Sequence, residues 1–320
     1  MCDLSNPIFH DEAKAREWLE ARIWANGRFC PHCGAVKQST LMQGKSHRPG
    51  LYQCNVCREP FTVTVGTLYE RSHVPLHKWL AATHLMMASK KGISAMQVHR
   101  MLGISYKTAW FLCHRIRESL RDSKLDMPPL GGQNKVVEAD ETWIGGKEGN
   151  KHKSKRRTDG ARGPVGKEPV VALVERDGCV YSQHLPDVTA ANLKLVLHAQ
   201  VDRKSYTMTD EAGAYRFVDR KFGGHGTVNH SIEEYARGGF WHTNTVEGYF
   251  SILKRGITGT YHHVSQQHLK RYLAEFDFRY NEREALSVGD FERMTKSVQG
   301  IVGKRLTYRR PCGTAEQASA

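Results

Sequence analysis

Four cysteines in two pairs constrain this chain more than any other feature: Cys30 with Cys33, then Cys54 with Cys57. Their spacing is Cys-x2-Cys-x20-Cys-x2-Cys. A Cys-x-x-Cys turn aims two sulfurs at one ion. Two such turns complete the tetrahedral thiolate shell that structural zinc takes. In a reducing compartment clustered pairs read as metal ligands, and the doubling argues against a redox couple. Gly34 follows the first pair and suits the tight turn of a zinc knuckle. The next stretch, residues 51–69, alternates as a strand does, with Phe61, Val63 and Val65 on one side. His32 lies inside the first pair, but four thiolates already fill the shell, so it reads as a surface residue. A ribbon this small has little core, and one structural Zn2+ holds it together. The remaining cysteines (Cys2, Cys113, Cys179 and Cys312) show no paired spacing and read as ordinary thiols.

A ribbon is a module, and it serves whatever surrounds it. The chain has 320 residues, a length that suits two or three domains, and 39% are apolar. No apolar run reaches the ~18 residues of a membrane span. The first residues lack the basic-then-apolar order of a signal peptide, so a cytoplasmic protein with no membrane partner is expected, nucleoid-associated if it acts on DNA. The formal charge of +14 and pI of about 9.4 favour a polyanionic partner, most often nucleic acid.

Residues 76–121 predict three helices, at about 76–89, 94–102 and 105–121. Ser94 and Ser105 are candidate N-caps, and Gly103 sits in the tight turn between the last two. This is the pattern of a helix-turn-helix. Tyr106, Lys107 and Thr108 open the recognition helix and are expected to reach base edges; Arg115 and Arg117 are expected to reach phosphates. His99 stands four before the turn glycine, where a small residue is usual. The competing reading is a plain three-helix packing module. Residues 123–134, with paired prolines and paired glycines, read as a linker.

Beyond the linker, Val136, Val137 and Ala139 predict a short buried strand ending at Asp140. Apolar runs at 168–176 and 178–185 follow, then a helical run at 189–201, and a strand over 205–210 that ends in Asp210. Strands followed by strand–helix alternation give an α/β layout. Residues 244–257 predict a helix with an apolar stripe of Val246, Phe250, Leu253 and Ile257. Asn244, Glu247, Ser251 and Lys254 form a second stripe beside it. Two strand-end aspartates and a helical glutamate suit phosphoryl transfer with two Mg2+ or Mn2+ ions roughly 3.5–4 Å apart, since Mg2+ takes oxygen ligands and keeps several waters. Asp140, Asp210 and Glu247 are the expected ligands, and Lys254 the expected phosphate contact. Acidic residues are common, 33 in this chain, so the strand and helix context carries this reading rather than the residue types.

The blocks "VEADETWIGGK", "TMTDEAGAY" and "HTNTVEGYFSILKRGITGTYHHVSQQHLKRYLAEFDFRYNER" resemble the three catalytic blocks of bacterial insertion-sequence transposases, in the zinc-ribbon group related to the eukaryotic Merlin elements. "WANGRFCPHCG" and residues 78–120 resemble the N-terminal part of that group. The resemblance spans about residues 10–285. It implies an RNase H-like catalytic core, a mixed sheet flanked by helices, with a DDE-type triad. It also implies hydrolysis of a strand at the element end, attack of the freed 3′-OH on target DNA, and a homo-oligomer on double-stranded DNA. Carried over, the acids fall on Asp140, Asp210 and Glu247. Some members are described with asparagine in the third role, which here is Asn244. Glu138 shares the strand face of Asp140 and is expected behind the metal ligands, whereas Glu141 and Glu211 point away.

Residues 146–168 carry eight Lys or Arg against three acids and no periodicity. They read as a loop that grips DNA backbone through Lys153, Lys155, Arg156 and Arg157, or else as a solvated insertion. His262 and His263 lack the His-hydrophobe-His pattern of histidine-dependent nucleases. Residues 264–284 predict a helix with Leu269, Tyr272, Leu273, Phe276 and Tyr280 as core. The expected organisation is an N-terminal helix and ribbon (1–75), helix-turn-helix (76–122), linker (123–134), catalytic domain (135–285) and a C-terminal tail (286–320), frayed over residues 303–320. Besides a transposase acting on insertion-sequence ends, two readings stay open: a catalytically inactive DNA-binding regulator, and an RNase H-like nuclease or resolvase.

Overall fold

A computed structural model describes residues 4–121, 127–146, 149, 152–156, 166–210, 213–215, 218, 221–228, 240 and 242–307. The chain divides into two units. One comprises Met1–Ala88, Ala95–Ser119 and Asp290–Ala320; the other comprises Ser89–Ser94 and Leu120–Gly289.

The first unit opens with helix Glu12–Ile23, started by Asp11, whose carboxylate accepts from the Ala13 and Lys14 N–H groups. The ribbon is a three-stranded antiparallel sheet of β1 (Ser39–Leu41), β2 (Tyr52–Cys54) and β3 (Pro60–Phe61). The strand expected through 51–69 is thus two short ones, since the second knuckle turns the chain between them. Phe61 and Val63 are buried as the alternation requires. The residue after each cysteine pair has positive φ, +77° at Gly34 and +63° at Arg58, and folds its knuckle back. The four Sγ atoms lie within 4.8 Å of one another, with Cys30–Cys57 at 3.7 Å and Cys33–Cys54 at 3.6 Å. A tetrahedron with Zn–S near 2.3 Å has edges of about 3.8 Å, so the thiols fit one zinc ion. Cys30→Ser is expected to release the zinc and melt the ribbon; metal content and circular dichroism check this.

Helices Leu76–Ala88, Ala95–Leu102 and Tyr106–Ser119 match the predicted segments. Gly103 has φ +60°, and Ser105 Oγ accepts from the Thr108 N–H at 3.2 Å. The His99 ring spans the turn to the Ile104 carbonyl, which explains how a large residue is accommodated there. The ribbon and these helices, expected as separate domains, fall in one unit.

The expected tail also differs. Asp290–Gln299 is a helix of this same unit. Its Arg293 guanidinium donates to the Met87 carbonyl at 2.8 Å, and Phe291 meets Trp18 edge-on. Beyond it, Ile301 accepts from the Leu68 N–H, and the Gly303 N–H donates to Gly66. Buried Met294, Val298 and Ile301 supply an apolar face that reads as bland next to so many charges. Residues 308–320 lie outside the described ones.

The second unit is built on a five-stranded mixed sheet in the order β6-β5-β4-β7-β8: β4 Val136–Ile144, β5 Glu168–Glu175, β6 Val180–His184, β7 Tyr206–Asp210 and β8 Gly224–Val228. β4, β5 and β6 are antiparallel, while β7 runs parallel to β4 and β8 parallel to β7. That order and polarity are those of an RNase H-like core. One face carries Ile144, Val170, Ala172 and Val174 and is covered by helices Asn244–Gly256 and Gln266–Asn281. The other carries Val137, Ala139, Val171 and Leu173 and is covered by helix Ala190–Gln200. A buried polar node pins the first layer. The Asp277 carboxylate accepts from Tyr249 Oη (2.6 Å) and from Ser182 Oγ (2.7 Å) and N–H (3.0 Å). Leu130 is buried and bonds to Gln200 and Asp202, so the second half of the expected linker belongs to this unit.

Helix Asn244–Gly256 runs into a π-turn, Ile257–Tyr261. Gly92 packs under that turn with φ +87°, and a Cβ there runs into the Tyr261 hydroxyl. Gly92→Ala is expected to cost at least ~1 kcal/mol, read as a lower melting temperature.

Candidate active site

β4 sets the geometry. The sequence reads Asp140 as the end of its strand, but β4 continues to Ile144 because β5 pairs with it along that whole length. Asp140 therefore stands mid-strand, at the point where β7 stops. The parallel register runs Val136↔Tyr206, Val137↔Thr207, Glu138↔Met208. Carried two residues further, it sets Asp210, the last residue of β7, beside Asp140. Partners in a parallel pair point to the same face, so the two carboxylates are neighbours.

On that face lies helix Asn244–Gly256. Its buried stripe is Val246, Phe250, Leu253 and Ile257, as predicted, while Asn244, Glu247 and Lys254 are exposed and Ser251 half-buried. Glu247 accepts from the Thr243 hydroxyl at 3.1 Å. The acids feel one another. Burial pushes the Asp140 carboxyl up to about 7, and the charges of Glu141, Asp210 and Glu247 push the same way. Like charges gathered in a half-buried site are what a bound cation offsets. The donor set, oxygen only, suits Mg2+ or Mn2+ rather than zinc. Among the described residues, the cysteine cluster is the one whose ligand atoms all close to within 4.8 Å.

Glu141 turns to the opposite face, as alternation requires. It accepts from the buried Tyr215 hydroxyl at 2.6 Å, and its carboxyl is raised by burial first. Glu211 lies outside the described residues.

The residue that organises the site is Glu138. Its side chain is fully buried. One oxygen accepts from Arg176 Nε (2.6 Å) and Thr245 Oγ1 (2.9 Å); the other accepts from the Thr245 and Val246 N–H groups at 2.8 and 3.0 Å. His242 Nδ1 is 3.2 Å away. A carboxylate set against the first N–H groups of a helix satisfies donors that have no partner within the helix and faces the positive end of its dipole. Arg176 completes the joint by donating to the Phe240 carbonyl (2.8 Å) and the His242 carbonyl (2.9 Å), just before the helix begins. Asn244 and Glu247 are thereby fixed to the strand that carries Asp140. The sequence places Glu138 on the right face, but nothing in it marks Arg176 or His242, which reach the joint through tertiary packing.

The expected DNA contacts divide. Tyr106 and Lys107 are exposed and Thr108 half-buried, all on the first turn of helix Tyr106–Ser119. Arg117, expected to reach phosphate, is instead 2% exposed, because its side of the helix faces the core with Cys113 and Ile116. Arg115 is half-buried, and its guanidinium donates to the carbonyls of Glu70 and Leu306, so it does not project freely. Lys153 and Arg156 are exposed at a 3-10 turn, Lys153–Lys155; Arg156 donates to the Gly149 carbonyl at 2.5 Å. Arg157 and most of the basic loop lie outside the described residues.

Residues 129–281 match the ISXO2-like transposase domain, and residues 10–59 match the transposase zinc-ribbon domain. Asp140, Asp210, Asn244 and Glu247 all lie inside the first match, and the four cysteines inside the second. An uncharacterized protein in transposable element ISH50 of Halobacterium salinarum is 27% identical over 285 residues, covering 85% of this chain and 91% of that one. Among solved structures, the Mos1 transposase paired-end complex with left transposon end is 13% identical with a TM-score of 0.29, covering 68% of this chain and 74% of that one. The Mos1 mariner paired-end complex with Mn is 14% identical with a TM-score of 0.27 over the same shares. Among the described residues, no helix is long and apolar enough to cross a membrane.

Proposed function

We propose that the chain binds the ends of a mobile DNA element and catalyses metal-dependent strand cleavage and strand transfer, with Asp140, Asp210 and Glu247 as metal ligands. The observation that carries this reading is the convergence of Asp140, the end of β7 and the first turn of the Asn244–Gly256 helix on one face of the sheet. Two Mg2+ or Mn2+ ions held there supply activation of the attacking oxygen and stabilisation of the leaving one. The protein fixes the three carboxylates on rigid elements, and Lys254, exposed two turns along the helix from Glu247, holds a neighbouring phosphate. Glu247 is preferred to Asn244 as third ligand because a carboxylate offsets cation charge and an amide does not. Tyr106, Lys107 and Thr108 read base edges, while Lys153, Lys155, Arg156 and Arg157 grip backbone. The ribbon ahead of the core supports membership of the zinc-ribbon, Merlin-related group, and a homo-oligomer on paired ends fits the same reading.

The test is cleavage and joining of labelled element-end DNA with Mn2+, comparing wild type with Asp140→Ala, Glu247→Ala and Asn244→Ala. Loss in the first two with retention in the third is expected. Loss with Asn244→Ala alone transfers the third role to the asparagine. End-binding without cleavage in wild type favours a DNA-binding regulator.

A further inference from the structure

Arg115 is an unusual cation. It lies half-buried beside the rings of Phe111 (4.9 Å) and Trp79 (6.0 Å), and burial pulls it below its ordinary pKa. Its guanidinium is fixed by two backbone carbonyls, Nη1 to Glu70 at 3.2 Å and Nε to Leu306 at 3.3 Å. Neither is a carboxylate. The carboxylate of Glu70 is engaged elsewhere, by the Gly66 N–H at 3.0 Å and by Arg71 at 3.5 Å. Among the described residues no anion pairs directly with this partly desolvated cation, and its orientation is set in advance by the carbonyls.

That guanidinium sits in a notch. Thr67, Glu70 and Arg71 form one wall, and Arg305, Leu306 and Thr307 form the other. Arg71 is 77% exposed and Arg305 is exposed as well. Three arginines against one glutamate leave the notch positively charged. Planar guanidinium forks, one of them immobilised, match the oxygens of a phosphate group.

We propose that this notch is a binding site for a backbone phosphodiester of DNA, with Arg115 as its fixed floor and Arg71 and Arg305 as its closing rims. The proposal rests on the reading above that the chain binds DNA; to the phosphate contact expected of Arg115 on helix Tyr106–Ser119 it adds Arg71 and Arg305, which lie outside both that helix and the basic loop. It also assigns a use to the returning C-terminal segment, which supplies one wall. The contact is to backbone, so it adds affinity without sequence preference.

The test uses the full chain with zinc bound and a double variant, Arg71→Gln with Arg305→Gln, which leaves the buried floor intact. Binding to a mixed-sequence duplex is measured across a salt series. The double variant is expected to bind more weakly and to reduce the slope of log affinity against log salt by about one, the value for one lost phosphate contact. Zinc content and melting temperature should be unchanged. In a second arm, inorganic phosphate should raise the melting temperature of the wild type and not of the variant. Equal slopes together with equal phosphate shifts overturn the notch. A phosphate shift confined to the wild type, with no duplex binding by either protein, keeps the notch as an anion site and instead overturns the reading that the chain binds DNA.

Discussion

Replacing Asp140 with asparagine is expected to abolish metal-dependent cleavage while making the metal-free protein more stable. The two effects share one cause. A bound divalent cation contributes several kcal/mol of charge stabilisation in the transition state, so loss of a ligand costs about 10^3-fold or more in rate. Without the cation, the same carboxylate is a liability. The Asp140 carboxyl is pushed up to about 7 in the folded chain from its ordinary 3.8, first because it is buried and then because Glu141, Asp210 and Glu247 repel its charge. Between these two values the folded state holds a proton that the unfolded chain has released. The slope of stability with pH is therefore negative: stability falls as pH rises from about 4 to about 7, and the full cost of the ionised group is present above 7. Asp140→Asn removes that cost, on the order of 2–4 kcal/mol at pH 8. Melting curves in Mg2+-free buffer should show the variant gaining on wild type as pH rises, and added Mg2+ should narrow the gap by stabilising wild type alone. A variant no more stable than wild type at pH 8 would mean that Asp140 carries no such repulsion.

The second large effect is expected at Glu138. Truncation to alanine leaves the half-buried Arg176 beside an empty acceptor position and strips the Thr245 and Val246 N–H groups of their partner. Breaking a buried charge pair by removing one member costs about 3–5 kcal/mol. For a unit of this size that lowers the melting temperature by roughly 10 °C. Glu138→Gln keeps the shape and one acceptor oxygen, so it should fall between wild type and the alanine variant. Mn2+ titration separates stability from positioning: at a temperature where the glutamine variant is folded, weakened Mn2+ binding shows that the joint aims the helix at Asp140. Unchanged Mn2+ binding would leave Glu138 a purely structural role.

The parts of this molecule that are legible in sequence are those set by local spacing. Two cysteine pairs with a glycine after the first need no partner to be recognised. The same holds for the stripe Val246, Phe250, Leu253 and Ile257, and for β7 ending at Asp210. What was misread depends on distant chain. The length of β4 is set by pairing with β5, so Asp140 looks terminal until Ile144 is seen opposite Glu168. Arg117 looks like a DNA contact because arginine is usually exposed, and only the packing of its helix buries it. β8, with two glycines and a histidine in five residues, has weak strand propensity and exists because β7 offers it an edge.

The return of helix Asp290–Gln299 to the first unit has a consequence for synthesis. The ribbon and the three helices that follow it are translated early, yet the segment that covers Met87 and Trp18 and pairs with Gly66 and Leu68 comes only after the whole second unit. A chain halted by a premature stop near residue 285 would carry every cysteine of the ribbon but would lack the buried Met294, Val298 and Ile301. The N-terminal unit thus reaches its complete form only once the second unit has been synthesised, so the fold itself disfavours fragments that carry the ribbon alone.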